Sequence, residues 1–166
     1  RRQNDKIVEE IAETEIDSLY GGKFRLKVFA NTVSYAEHVA LIKGDITGTD
    51  PVLVRVHQLN MLSVLEGDPQ SSGVALHEAM QAVAKEGRGV VVIIREPRTT
   101  SLSERVLAVP DDAKRFPALR DYGIGAQILR DIGVRNMVLL SNVERTIVGL
   151  EGYGLSVVGR RKLTRN

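Results

Sequence analysis

The 166-residue sequence has no cysteine, no tryptophan, and only 4% aromatic residues. A chain without sulfur nucleophiles cannot form disulfides, thiolate zinc sites, iron–sulfur ligation or a cysteine-based catalytic centre. It also lacks any apolar run near the roughly 20 residues that a membrane-spanning helix needs, and no basic, apolar and small-residue series opens it as a secretory signal would. A cytoplasmic domain with no membrane partner is the reading. A large excess of one charge is missing too, since 23 Lys and Arg stand against 21 Asp and Glu, for a net charge of +2. Much of the surplus lies at the ends, in Arg1-Arg2 and in Arg160-Arg161-Lys162-Leu163-Thr164-Arg165. Few aromatics interleave with these cations as base stacking requires, so no nucleic-acid partner is expected and the ends read as solvated. An opening Arg1 in place of Met suggests a piece of a longer chain.

What is present describes one ordinary globular domain: 43% hydrophobic and 27% charged residues, with 15 glycines. A chain of this length buries roughly two-thirds of its unfolded surface without metal or disulfide staples. Asn4 or Asp5 is placed to cap a short polar helix through Glu10, with Ile7, Val8 and Ile11 on one face; residues 1–12 then read as a linker helix from an absent N-terminal domain. Gly21-Gly22 separates Ile16–Tyr20 from Lys23–Phe29, in which Phe24, Leu26 and Val28 alternate with cations, a hairpin signal. His38–Lys43 and Val52–His57 are further strands, so the first third is β-rich.

Helices closed by glycine then precede strands. Ser71 or Ser72 caps a helix carrying Leu76, Met80, Val83 and Ala84 on one face, ended by Gly87 before Val90–Ile94. Asp121–Asp131 carries Ile124, Ile128 and Leu129, closes at Gly133 and feeds Met137–Leu140. A short helix from Asn142 to Leu150 leads to Leu155–Val158. This alternation predicts an α/β fold, a sheet with flanking helices behind a β-rich N-terminal segment, with the domain spanning 13–163 and a tail at 164–166. Periodicity fails from Arg95 to Phe116, where Leu102–Ala108 alone suits a short helix; this stretch follows a strand, where open α/β sheets place ligands.

His38, His57 and His77 match no zinc-binding spacing, and two fall on strands while one falls on a helix, so no metal site is assigned to them. Lys85-Glu86-Gly87-Arg88-Gly89 suits either an approach to phosphate or an ordinary helix-to-strand turn. Arg95, Arg98, Arg105, Arg120 and Arg145 lie in or beside loops, where planar guanidinium forks can clamp phosphate or simply face solvent.

An ordered set of segments resembles the GTP cyclohydrolase II family of riboflavin biosynthesis, particularly as it occurs fused behind 3,4-dihydroxy-2-butanone 4-phosphate synthase. The set comprises His38–Ile46, Pro51–His57, Glu86–Val90, Leu119–Leu129, Leu139–Asn142 and Val148–Leu155. The resemblance implies hydrolysis of GTP to formate, pyrophosphate and a diaminopyrimidine product, with Zn²⁺ on three cysteines and Mg²⁺ at the phosphates. It aligns Asn60, Gln70 and Ser72 with those cysteines. Amide and hydroxyl oxygens do not replace three thiolates as donors to Zn²⁺, so no cofactor is expected.

Other positions diverge as well. Where the family carries a glycine-bearing loop for the nucleotide, this chain has Arg95-Glu96-Pro97-Arg98-Thr99-Thr100, and Leu107 stands at a catalytic tyrosine. Arg120 remains at the family's nucleophile position as a vestige, and Ser141 replaces a threonine near the nucleotide. Arg55, Arg95, Arg98 and Ser141 are the implied nucleotide contacts. The expectation is a domain that has lost hydrolysis and works as a structural or regulatory module beside a synthase domain in the same chain, as a homodimer. An active hydrolase with a relocated metal and a non-catalytic GTP sensor are the alternatives.

Overall fold

The computed structural model describes residues 8–31, 36–59, 73–95, 123–141 and 154–162. Seven strands form one mixed sheet: β1 (Val8–Ser18), β2 (Gly22–Asn31), β3 (Glu37–Lys43), β4 (Val52–Leu59), β5 (Gly89–Arg95), β6 (Asn136–Leu140) and β7 (Ser156–Arg161). Among the described residues two helices flank it: α1 (Gly73–Glu86) and α2, whose described residues are 123–131. The strand order is β1-β2-β3-β5-β4-β6-β7. β1, β2 and β3 form an antiparallel meander, β3 joins β5 antiparallel, and β5, β4, β6 and β7 run parallel. This is the α/β sheet with flanking helices and a β-rich entry that the residue pattern predicts.

Composition explains the division. β5 reads Gly-Val-Val-Val-Ile-Ile-Arg, and its Val90, Val91 and Val92 are fully buried, the continuous apolar run of a strand covered on both faces. On β4, Val52, Val54 and Val56 join Ile124, Ala126, Ile128 and Leu129 of α2 in one core, while Leu53 joins Ala75, Ala79, Met80 and Val83 of α1 in the other. Each fully buried aliphatic side chain contributes roughly 1.5–3 kcal/mol. α1 stops where Gly87, at φ +82°, turns its N–H back onto the Val83 and Ala84 carbonyls. None of the helices among the described residues is long and apolar enough to cross a membrane.

Two expectations change, and one left open is decided. Residues 8–12 are extended rather than helical: Val8 and Glu9 pair with Asn31 and Ala30 of β2. Glu10 pairs with Lys27 of β2 at 3.2 Å, farther along β1 Glu15 and Asp17 face Arg25 and Lys23, and this cross-strand pairing outweighs a weak helical period. Residues 1–7 lie outside the described residues. Arg160 and Arg161 are not loose tail charges but strand residues of β7, because Leu139 and Leu140 of β6 supply register partners. The Lys85–Gly89 turn is a helix-to-strand connection, and Arg88 uses its fork on the carbonyls of Asp45 (2.6 Å), Pro51 (2.7 Å), Asp50 (3.2 Å) and Thr47 (3.3 Å). The helix expected at 142–150 and the short helix at 102–108 lie outside the described residues.

Candidate functional site at the carboxyl ends of the parallel strands

The β4-α1-β5 crossover joins two parallel strands and leaves their carboxyl ends at one end of the sheet, the usual ligand position of open α/β folds. The chain leaves β4 at Leu59 and β5 at Arg95, and those two residues are register partners. It leaves β6 at Leu140, directly before Ser141. β4, β5 and β6 therefore end toward the same end of the sheet, with Leu59 and Arg95 as partners and Leu140 of β6 level with Arg55 of β4.

Arg55 and Ser141 are brought together here. Arg55 alternates with Val54 and Val56 and so points to the α1 face; it is only 3% exposed, and its Nη1 donates to the Leu140 carbonyl at 3.2 Å. The next carbonyl, that of Ser141, accepts Nη1 of Arg160 at 3.1 Å, while the Ser141 N–H donates to the Arg161 carbonyl at 2.9 Å. Two guanidinium groups thus hold consecutive carbonyls where β6 ends. Arg161 extends the network outward through an exposed ion pair with Glu86 at 2.8 Å. Arg95 is exposed at the end of β5. Arg98, Arg120, Asn60, Gln70, Ser72 and Leu107 lie outside the described residues.

The histidines do not converge. His57, fully buried, follows Arg55 on the α1 face; His77 on α1 stacks on Tyr20 with ring centroids 3.7 Å apart and planes within 3°. His38 falls on the opposite face with Ala40 and Ile42, also fully buried. Its Nδ1 accepts the Arg95 N–H at 3.1 Å and its Nε2 lies 3.0 Å from Asn31 Oδ1, so the ring is neutral and protonated on Nε2. Burial, reinforced by the Arg95 charge, lowers its pKa to about 4. Among the described residues no group of three His, Asp or Glu side chains is placed to hold a metal.

Residue reading missed two parts of this region. The contacts of Arg160 and Arg161 depend on a parallel partner strand that local sequence does not reveal. His38 carried a usable signal: it stands in phase with Ala40 and Ile42 on an alternating strand, which marks it as an inward-facing histidine needing partners.

Comparison with known proteins agrees with this architecture. The GTP cyclohydrolase II family profile matches residues 9–162. The chain is 40% identical over 176 residues to a riboflavin biosynthesis protein RibBA of Chlorobium phaeovibrioides, covering 95% of this chain and 42% of that protein. It is 44% identical over 154 residues to the RibBA of Bacillus subtilis, covering 84% and 39%. The chain therefore spans about two-fifths of the length of these relatives. Among solved structures it resembles RibBX of A. baumannii, a two-domain 3,4-dihydroxy-2-butanone 4-phosphate synthase, with a TM-score of 0.57 and 25% identity over 100% of this chain and 43% of that one. With its mixed α/β sheet, a profile match from β1 to beyond β7 and relatives at 40% and 44% identity, this chain belongs to the GTP cyclohydrolase II family.

Proposed function

We propose that this chain is a GTP cyclohydrolase II-family domain of riboflavin biosynthesis that no longer hydrolyses GTP and acts as a structural or regulatory module for a 3,4-dihydroxy-2-butanone 4-phosphate synthase. The observation that carries the reading is the donor set. Asn60, Gln70 and Ser72 stand where the family's three zinc cysteines align, and the whole chain offers no cysteine to replace them. Neutral oxygen donors do not fit a thiolate zinc site, and without the ion a bound water loses the acidity that makes it a nucleophile near neutral pH. No step of the reaction is therefore assigned to this domain.

Two further features support the reading. The Glu96-Pro97-Arg98 sequence lacks the glycine that would let backbone approach a phosphate, and Pro97 removes a donor. Arg55, aligned with a nucleotide contact, already spends an N–H on the Leu140 carbonyl, a tie within the sheet itself. The fold likeness to a two-domain synthase supports a partner domain of that kind in the parent chain, with a homodimer as the assembly. The test is elemental analysis of the purified protein together with formate release from GTP. The expected result is no stoichiometric zinc and no formate; about one zinc per chain, or formate released at an enzymatic rate, overturns the proposal.

A further inference from the structure

Among the described residues, the antiparallel and parallel halves of the sheet meet at the β3–β5 ladder, whose backbone register runs from Lys43 with Gly89 to Val39 with Ile93. Beyond that last pair a side chain takes over. The N–H of Arg95, the final residue of β5, donates to Nδ1 of His38 at 3.1 Å. The other ring nitrogen reaches Asn31, the final residue of β2, at 3.0 Å from Oδ1. The Asn31 N–H in turn donates to the Ala36 carbonyl at 2.9 Å, which fixes that residue from its backbone as well. One fully buried imidazole therefore spans the ends of three strands.

We propose that His38 is a positioning residue: its neutral ring, protonated on Nε2, holds the end of β5 at Arg95 to the end of β2 at Asn31, and so sets where the chain leaves the sheet after Arg95. Geometry makes the tautomer obligatory. The Arg95 N–H can only donate, so Nδ1 must present its lone pair; Nε2 then carries the proton and Asn31 accepts it through Oδ1. The surroundings reinforce this. Phe29 on β2 and Ile94 on β5 are buried on the same face as His38, whereas Glu37, its strand neighbour, points to the other face by alternation. Arg95 is the charged group acting on the ring. A second proton on Nδ1 would set two donors against each other in a dry site and detach the Arg95 amide.

The role differs from simple core filling, because it depends on one acceptor at one ring position. An Asn at 38 can place a carbonyl oxygen near the Nδ1 position, whereas a Gln places its amide near Nε2. Amide hydrogen exchange of the whole chain near neutral pH should show the Arg95 N–H exchanging roughly five- to tenfold faster in His38→Gln, the factor that one ordinary hydrogen bond is worth. His38→Asn should hold it near the wild-type rate, with Val91 and Val92 unchanged in both variants. The ¹⁵N spectrum of the wild-type ring, which needs no variant to fold, should show a protonated Nε2 and an unprotonated Nδ1. A proton on Nδ1, or equal Arg95 exchange in the Asn and Gln variants, overturns the proposal.

Discussion

Ile11 and Val158 are counterparts on opposite edges of the sheet: each is the extra residue where a strand register slips, and each is exposed. On β1, Glu10 pairs with Phe29 and Ala12 with Val28, leaving Ile11 between them, 48% exposed. On β7, Val157 pairs with Met137 and Gly159 with Val138, leaving Val158, 54% exposed. Bulges bend and twist an edge, and these two edges also carry clustered charges, acidic on β1 and basic on β7. Both features hinder pairing with a further strand. Deleting Ile11 should restore an unbroken edge at β1 and promote association, seen as concentration-dependent larger species in sedimentation velocity; an unchanged size distribution would show that the bulge does not protect the edge.

Charge pairing across β1 and β2 predicts an asymmetric mutational cycle. Glu15→Lys places a cation opposite Arg25 and should lower stability by about 0.2–1 kcal/mol, while the double variant with Arg25→Glu should recover most of the loss. Because both side chains are exposed, the effect should shrink in high salt. Urea titrations at two ionic strengths measure it. Equal losses in the single and double variants would deny any coupling.

Arg88 holds four carbonyls of the 45–51 segment with one fork. Arg88→Ala should cost about 1.5–3 kcal/mol by urea denaturation, the range for bonds to a charged donor. Arg88→Lys should recover only part of it, since a single ammonium cannot span four acceptors. Full recovery with Lys would mean that charge, rather than the planar fork, is what the segment needs.

The pH dependence of stability should carry a His38 component of definite sign. Its folded pKa of about 4 lies below the ordinary 6.5, so the unfolded chain takes up the proton first. The contribution is fully present above pH 6.5 and is lost as pH falls from 6.5 toward 4. Asp45 acts in a lower window: its carboxylate, held below 3.8 by the Thr47 hydroxyl and N–H, contributes above that value and is lost below it. Thermal unfolding across pH 4–7 should therefore slope downward with acid in the wild type and flatten in that window in His38→Asn. An unchanged slope would remove His38 as the cause.

Restoring cysteine at Asn60, Gln70 and Ser72 together separates metal from catalysis. On the proposed function, the triple variant should bind zinc at most, without formate release, because Leu107 and Glu96–Thr100 would still stand where the resemblance implies a catalytic tyrosine and a glycine-bearing loop. Ring opening of GTP by that variant would show that the metal was the single missing part. Calorimetry of the unmodified chain with GTP should show no saturable heat; micromolar binding abolished by Arg120→Ala would instead support the nucleotide-sensor alternative.

Local pattern determined much of this protein. Valine and isoleucine runs specify the buried strands, Gly87 ends α1, and alternation in Lys23–Phe29 specifies β2. The lack of cysteine excludes any thiolate ligand within this sequence before coordinates are considered. Tertiary structure decided what depends on a distant partner. Residues 8–12 are extended because β2 supplies both backbone acceptors and opposite charges, a non-local gain that outweighs weak helix periodicity. Arg160 and Arg161 become strand residues because β6 lies beside them, and Arg88 meets carbonyls about 40 residues away. The phase of His38 on its strand marks it as inward-facing, but only the ends of β2 and β5 on either side of β3 supply the acceptor and the donor that fix its proton, because hydrogen-bond partners are chosen by distance in space and not along the chain.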